Sequence, residues 1–583
     1  MPHRNQQTSP SIQAPSSYRI PKLFFAMRER LAQGYHLSDF KSDLMSGVVV
    51  AMVAIPLGMA LAIASGVAPE QGLYTVIIGG IIVALCGGSR FQITGPTAAF
   101  VVVLAPIAQK YGVSGLLTAG LMAGMILLAM GIGRLGKLIQ FIPYPVTTGF
   151  TSGIAVVIAT LQLKDFLGLK VEKIPENYIS KLKTFAVALP TFSPVELTVG
   201  ISTLVLLFVW PKINKKIPAP LVVLIFISVI VVLLKSIIPE FHVETIGSRF
   251  SYTLHGMRGE GIPPILPQIH FPWNYGENFF HITPESIHAI IPSAFVIAML
   301  GAIESLLSAV VADGMARTKH DPDSEIMALG IGNIICPFFG GIPATGAIAR
   351  TATNIRYGAT SPLSAVIHGI FTLLVLLVFA PYVSYLPMAS LSALLLLIAY
   401  NMSEIRHFRH ILRIGPKSDV IVLLLCFSLT VIFDMVVGVM VGIMLASLLF
   451  MKRMSAVTSS KILEPKEAMS LSNIPKEVML YDINGPLFFG AAEKAMEIMN
   501  QAHQNVKAVF FLMEDVIAMD VTGLVALESA IKNLLSHHRK IYLIGVRREQ
   551  RKLILGSELI AGSSNVFFLS NVDEAVQHFL PKN

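Results

Sequence analysis

From about residue 45 to about residue 453, apolar runs long enough to cross a bilayer follow one another with few charges inside them. In hydrocarbon an unpaired backbone N–H or C=O costs several kcal/mol, so such runs must satisfy their hydrogen bonds internally. A composition that is 54% hydrophobic and 14% charged, with mean hydropathy +0.69, excludes a soluble globular protein, because too little polar surface is left to cover the core. Net charge +9 does not point to nucleic acid, since Lys and Arg sit beside apolar runs rather than along one soluble face. Cys86, Cys336 and Cys426 all lie in apolar stretches and read as small core residues, with no disulfide, metal or redox framework.

Fourteen membrane segments are expected, beginning near residues 45, 70, 95, 114, 144, 194, 219, 286, 324, 345, 359, 385, 418 and 436. The last two share the stretch Val420 to Met451 as a hairpin of short helices turning near Asp434. An even count puts both ends on one side. The basic patch Arg19, Lys22, Arg28, Arg30 and Lys41 marks that side as cytoplasmic, together with Arg90, Arg134, Lys137, PKINKKIP, Arg317, Lys319, EIRHFRHILRIGPK and Lys452–Arg453. The connection from about 239 to 285 carries Glu240, Glu244, Glu260, Glu277 and Glu285 against Arg249 and Arg258, which suits the outer side. The polar stretch before residue 45 is too long for the n-region of a secretory signal, so the first apolar segment is expected to stay uncleaved. MALAIASG is then a helix-packing motif rather than a cleavage site.

Two segments are broken by Gly and Pro where they begin, at GGSRFQITGPTAAFVVVLAPIA near residue 95 and at FGGIPATGAIARTATN near residue 345. A helix from Gly95 to Gln109 would be about 22 Å long, too short to cross a core of about 30 Å. Each break is third in its set of seven, and an odd number of segments per set inverts the second set in the membrane. Two helix N-termini then meet near the midplane, where free N–H groups and the positive dipole ends suit an anion.

Glu304 is the deepest charge in the eighth segment, and a buried carboxylate in a membrane span usually handles an ion or a proton. Ser308 follows one turn later on the same face, so the pair is expected to take a proton or to supply oxygens to Na⁺. Arg350, one turn into the tenth segment, is expected either to hold a carboxylate bidentately or simply to add positive potential, the alternatives being a pair with Glu304 or snorkelling to the cytoplasmic end of the half-helix. Thr97 and Thr345 offer hydroxyls beside the two N-termini, where ordinary capping is the alternative. His288, His368, Lys164 and Asp165 read as structural. GRLGKL lacks P-loop spacing, and neither a zinc-spaced set nor a nucleophile elbow is found, so no catalytic residues, metal or ATP-driven step are expected.

The domain organisation expected is a cytoplasmic N-terminal region at 1–44, a transport domain at 45–453, a linker at 454–473 and a small α/β domain at 474–583. Strands are expected at EVMLYDIN, VKAVFFLME, KIYLIGV and NVFFLS, with helices after Gly490, Thr522, Arg547 and Asn571. In MDVTGL, Asp520 and Thr522 are placed to cap a helix, and Thr522 is also a candidate regulatory phosphosite.

The stretches GSRFQITGPTAAF, GFTSGIA, AMLGAIESLLSAVVADGM, GGIPATGAIARTATNIRYGATSP and MDVTGL together resemble the sulfate permease (SulP) family of anion transporters with a terminal STAS domain. AIPLGMALAIASGVAP, LKDFLGL, TKH and NMSE are most similar to its bacterial C4-dicarboxylate transporters. The resemblance implies two inverted seven-segment repeats, divided into a core and a gate that move against each other. It implies an anion site at Met59, Thr97, Ala98, Phe100, Thr345, Gly346, Ala347 and Arg350, with Glu304 as the ion-coupling position. Animal relatives often have Ser where this chain has Ala349, so that hydroxyl is absent and backbone contacts carry more. Homodimers and regulators such as acyl carrier protein at the STAS domain are likewise implied.

The expected function is secondary active uptake of C4-dicarboxylates such as succinate, fumarate and aspartate in a bacterial inner membrane. H⁺ is the co-transported ion, with Na⁺ the alternative, and no cofactor or nucleic acid is expected. Sulfate or Na⁺-coupled bicarbonate transport is the alternative within this fold. A passive anion channel and a non-transporting sensor signalling through the STAS domain are the readings of other kinds.

Overall fold

The computed structural model describes residues 22–139, 142–171, 173–175, 177–214, 217–238, 241–254, 257–276, 279–433, 435–463, 474–488, 506–557, 560 and 562–580. Arg19, Asp434 and the helix expected after Gly490 lie outside the described residues. The chain forms two compact units, Met1–Ile443 and Met444–Asn583.

The first unit is helical. Its principal helices are α1 (Leu37–Ala64), α2 (Pro69–Cys86, with a π-helical turn at Thr75–Gly79), α3 (Ala98–Ile132), α4 (Tyr144–Phe166), α5 (Pro194–Ile213), α6 (Ala219–Ile237), α7 (Pro284–Ala316) and α8 (Pro322–Ile335). They are followed by α9 (Ile348–Arg356), α10 (Leu363–Val383), α11 (Met388–Met402), α12 (Ile405–Ile414), α13 (Lys417–Ile432) and the start of α14 (Met435–Val457), whose later turns belong to the second unit. Among the described residues ten helices are long and apolar enough to cross a membrane. The third and fourth expected segments form the single run α3, with a non-helical Gly112 (φ 70°, ψ −178°) between its two arms. At about 1.5 Å per residue the first arm is about 20 Å long and α9 about 13 Å, both less than a bilayer core.

The helices pack in two groups. In one, α3 lies against α7 and α8, and α1 lies against α2, α9 and α10; in the other, α4 packs with α11 and α13, and α5 with α6 and α11. Close approach of α3 and α8 depends on small residues: a Cβ at Gly124 would meet the Gly330 carbonyl at 2.8 Å, and a Cβ at Gly330 would meet Leu128 N at 2.5 Å. This is how helices associate where lipid removes the hydrophobic drive. The groups face each other where α1 meets α11 and α3 meets α4. A cavity of about 650 Å³ opens on this seam, lined by Ala60 and Ile63 of α1, Val101 and Ala105 of α3, Val157 of α4 and Leu391 of α11. A second, of about 540 Å³, is lined by Ile303, Leu307 and Val310 of α7 with Thr147, Asp313 and His320.

The segment from about 241 to 250 is laced to α11 by Ile246 N donating to the Leu386 carbonyl (3.0 Å) and Met388 N to that of Glu244 (2.8 Å). There Arg249 bridges Asp165 (2.7 Å) and Glu244. Burial alone would lower the Arg249 pKa, but the hydrogen bonds it donates to Glu244 and Asp165 outweigh this and hold the guanidinium above its ordinary value.

The second unit is a five-stranded sheet of β3 (Ser459–Leu463), β4 (Val478–Asn484), β5 (Ala508–Leu512), β6 (Lys540–Ile544) and β7 (Val566–Leu569) in that order, after the short β1 (Thr94–Gly95) and β2 (Thr345–Gly346) of the first unit. β3 is antiparallel to β4 and the remaining pairs are parallel. Helices α15 (Val521–Ser536), α16 (Arg548–Leu555) and α17 (Val572–Phe579) complete it, with apolar clusters on both faces of the sheet. Ser459–Leu463 falls in the stretch expected to be linker. It pairs instead with β4 and so satisfies the backbone groups of a strand edge. Gly523 N donates to Asp520 Oδ1 at 2.7 Å, so Asp520 caps α15, while Thr522 stands exposed in its first turn.

Candidate functional site

The two broken segments cross. β1 and β2 pair antiparallel, Thr94 opposite Gly346 and Gly95 opposite Thr345, and α3 and α9 start two or three residues beyond them. Neither Ala98, Ala99 and Phe100 nor Ile348, Ala349 and Arg350 has a helical carbonyl four residues back for its N–H, so each helix begins with unpaired donors next to the crossing. Flanking bonds fix this register: Ala347 N donates to the Ile93 carbonyl (2.9 Å) and Ile93 N to Thr351 Oγ1 (3.0 Å). Ala347 thus spends on Ile93 the N–H that an anion would have used.

Thr97, the N-cap residue of α3, does not cap it. Its hydroxyl donates to Glu304 Oε2 at 2.8 Å across from α7, and both side chains are partly exposed. A carboxylate that accepts this hydrogen bond loses charge when it is protonated, so the bond beside the helix start depends on the protonation of Glu304. Ile348 (43% exposed) and Ala349 form the open part of the α9 first turn.

The other expected site residues are sealed. Thr345 is 0% exposed and donates Oγ1 to the Gly301 carbonyl at 2.8 Å, so it joins β2 to α7 and offers no proton to a ligand. Arg350 is 2% exposed, and its Nη2 donates to the Pro96 carbonyl. It makes no ion pair with Glu304 and presents no fork toward the exposed turn; Nε and Nη1 are buried without a hydrogen-bond partner. A Cβ at Gly95 would stand 2.5 Å from Nη1, so only glycine lets the guanidinium lie against β1. The charge acts from behind the crossing, where low dielectric strengthens its field. Phe100 is 1% exposed and packs toward Gly301 with Leu127 and Leu329, and Met59 is 0% exposed. Ser308 donates to Thr351 Oγ1 at 3.1 Å and belongs to the joint between α7 and α9. Ala98 and Gly346 are buried at the crossing and contribute backbone.

Several supporting residues escaped the sequence reading. Gln92 Nε2 donates to Ser305 Oγ (2.5 Å) and Glu325 Oε1 (2.7 Å), while Glu325 Oε2 accepts from Gly88 N and Ser89 N at 2.8 and 2.9 Å. Asn333 Oδ1 accepts from Ala344 N (2.8 Å), and its Nδ2 donates to the Ala344 carbonyl (2.9 Å), clamping the chain before β2. Asn333 is a polar residue in an apolar run, a signal of the same kind as the one that drew attention to Glu304, whereas Gln92 and Glu325 follow other polar residues and carry no such signal. Chain neighbours of the site residues line both cavities, Ala60 and Val101 beside Met59 and Phe100 in one, Ile303 beside Glu304 in the other.

The sulfate permease family matches residues 40–426, which include every group just described around the crossing. This chain belongs to the sulfate permease family. The STAS domain matches residues 471–575. The permease is 41% identical over 543 residues to the "Putative sulfate transporter YvdB" of Bacillus subtilis, covering 93% of this chain and 98% of the relative. It is 29% identical to the bicarbonate transporter BicA of Picosynechococcus, covering 89% and 90% respectively. The solved transmembrane domain of a cyanobacterial BicA superposes with TM-score 0.58 at 27% identity, over 71% of this chain and 98% of that one. The murine anion transporter Slc26a9 in its inward-facing state gives TM-score 0.81 at 17% identity, over 95% and 94%, which shows a shared fold. The permease is therefore a multi-pass membrane transporter of anions rather than an enzyme.

Proposed function

We propose that the permease takes up a small oxyanion by proton-coupled alternating access, with Glu304 as the proton site and the first turns of α3 and α9 as the anion cradle. The observation that carries this reading is the Thr97–Glu304 hydrogen bond at the start of α3, because it puts a titratable group one side chain away from the anion-facing N–H groups. Sulfate leads among substrates on the strength of the 41% identical relative, with bicarbonate next through BicA. A C4-dicarboxylate is the second reading, favoured by the exposed Ile348 side chain, which offers apolar contact to the methylene groups that sulfate lacks. Na⁺ in place of H⁺ is the alternative coupling ion.

Fourteen crossings in two inverted sets agree with the two short arms that begin at β1 and β2, and both termini then face the cytoplasm of a bacterial inner membrane. The two helix groups would serve as core and gate. A homodimer, and acyl carrier protein or another regulator at the STAS domain, complete the reading; Thr522 is exposed as a phosphosite requires.

Purified protein in liposomes tests it. Uptake of sulfate, bicarbonate, succinate, fumarate and aspartate is measured under an inward pH gradient or Na⁺ gradient, for the native chain and for Glu304→Gln. Uphill accumulation with pH and its loss in the variant are expected. Conductance without uphill accumulation identifies a channel, absence of flux identifies a sensor, and normal pH-driven accumulation by Glu304→Gln removes the coupling role.

A further inference from the structure

Helix α12 is stitched between α11 and α13 by two-residue joints, Ser403–Glu404 and Gly415–Pro416. Glu404 has left-handed backbone angles (φ 41°, ψ 36°), which end α11 and start a new helix. Two residues reach about 7 Å at most, so α12 cannot leave the level at which its neighbours enter the bilayer. Its sequence IRHFRHILRI divides by face. Ile411 is buried, and Phe408 meets Phe427 of α13 edge-on with ring centroids 5.4 Å apart. Next to that face Ile405 and Leu412 remain about 40% exposed, and beyond them Arg406, Arg409, His410 and Arg413 point to solvent. At 100° per residue the three arginines fall within about 60° of arc. Glu404 lies 3.5 Å from His407, and among the described residues none of the three arginines has a carboxylate partner.

We propose that α12 is a docking face for anionic phospholipid headgroups, with Arg406, Arg409 and Arg413 on the phosphates and Ile405 and Leu412 at the acyl boundary. Charge complementarity and height in the bilayer carry the assignment: an exposed apolar edge beside an unpaired cationic stripe, held at headgroup level, is the pattern of an interfacial helix. Each basic group near such a surface strengthens binding severalfold. Because α12 packs on α4 and α13, bound lipid would hold that helix group to the leaflet while the α3–α7–α8 group is left free to move.

Native mass spectrometry of the full-length purified protein, titrated with phosphatidylglycerol against phosphatidylcholine, reads this without reference to transport. The native chain should retain phosphatidylglycerol preferentially, and the preference should fall as salt is raised. Arg406→Gln/Arg409→Gln/Arg413→Gln should reduce it by roughly tenfold or more. The corresponding triple Lys variant, which keeps charge and helix, should restore it. An unchanged preference in the Gln variant, as expected if a protein partner or another surface accounts for the lipid, overturns the proposal, as does equal loss in the Lys variant.

Discussion

At the crossing the first segment leaves Thr97 Oγ1 on Glu304, partly open, whereas the second spends Thr345 Oγ1 on the Gly301 carbonyl in a sealed contact. The first is backed by a guanidinium laid against Gly95, while the second is itself the segment that supplies that guanidinium. Two extended-then-helical segments with paired backbones therefore carry different chemistry. Backbone N–H groups are offered by both, but the group that can exchange a proton stands beside α3 alone. On the proposed reading, a carrier built this way has one anion cradle and one coupling switch rather than two of each.

The largest break in that comparison comes from Glu304→Gln, expected to reduce gradient-driven accumulation by roughly 10- to 100-fold, the worth of a charge-assisted hydrogen bond at a water-poor site. Flux down an anion gradient should fall less. Arg350→Ala removes the shared buried cation and strands the Pro96 carbonyl. A stability loss of about 2–4 kcal/mol is expected together with weaker apparent anion affinity, read by thermal unfolding and by uptake against concentration. Unchanged affinity would reduce Arg350 to a packing role.

The paired substitutions Thr97→Val and Thr345→Val sharpen the asymmetry. Thr97→Val should flatten the dependence of uptake on external pH by a few-fold and barely move the melting temperature. Thr345→Val should leave the pH profile in place and cost about 1–2 kcal/mol, as loss of a buried hydroxyl that satisfies a carbonyl does. Identical outcomes for the two would mean that the segments are equivalent after all. The smallest effect lies far from the crossing: Asp520→Ala removes the cap of α15 and should lower the stability of the STAS unit by about 1 kcal/mol without altering transport.

Much of the scaffold was legible because hydrocarbon permits few alternatives. Gly and Pro at the starts of the two short segments, and Glu304 alone in an apolar run, are local signals that need no partner to be read. Arg350 was visible as a charge, but its partner is the Pro96 carbonyl, 254 residues away along the chain, and a side chain that satisfies a backbone group leaves no trace in residue identity. Phe100 and Ala347 entered through family resemblance. In the fold the ring packs toward Gly301 and the N–H goes to Ile93, so proximity to a helix start did not mean exposure to a ligand. Thr345 and Ser308 were misplaced for a related reason: a hydroxyl has several ways to be satisfied, and only the three-dimensional neighbours decide among them. The strand β3 was hidden in a polar stretch because its stabilisation comes from a sheet edge, which is non-local.

The hydrogen-bonded pairing of β1 with β2 has a mechanical corollary. Two halves of the cargo compartment are riveted through their main chains, so neither can be displaced along the membrane normal without hauling the other. If solute and proton bind where we propose, they must ride as passengers in a single car whatever stroke the transporter makes.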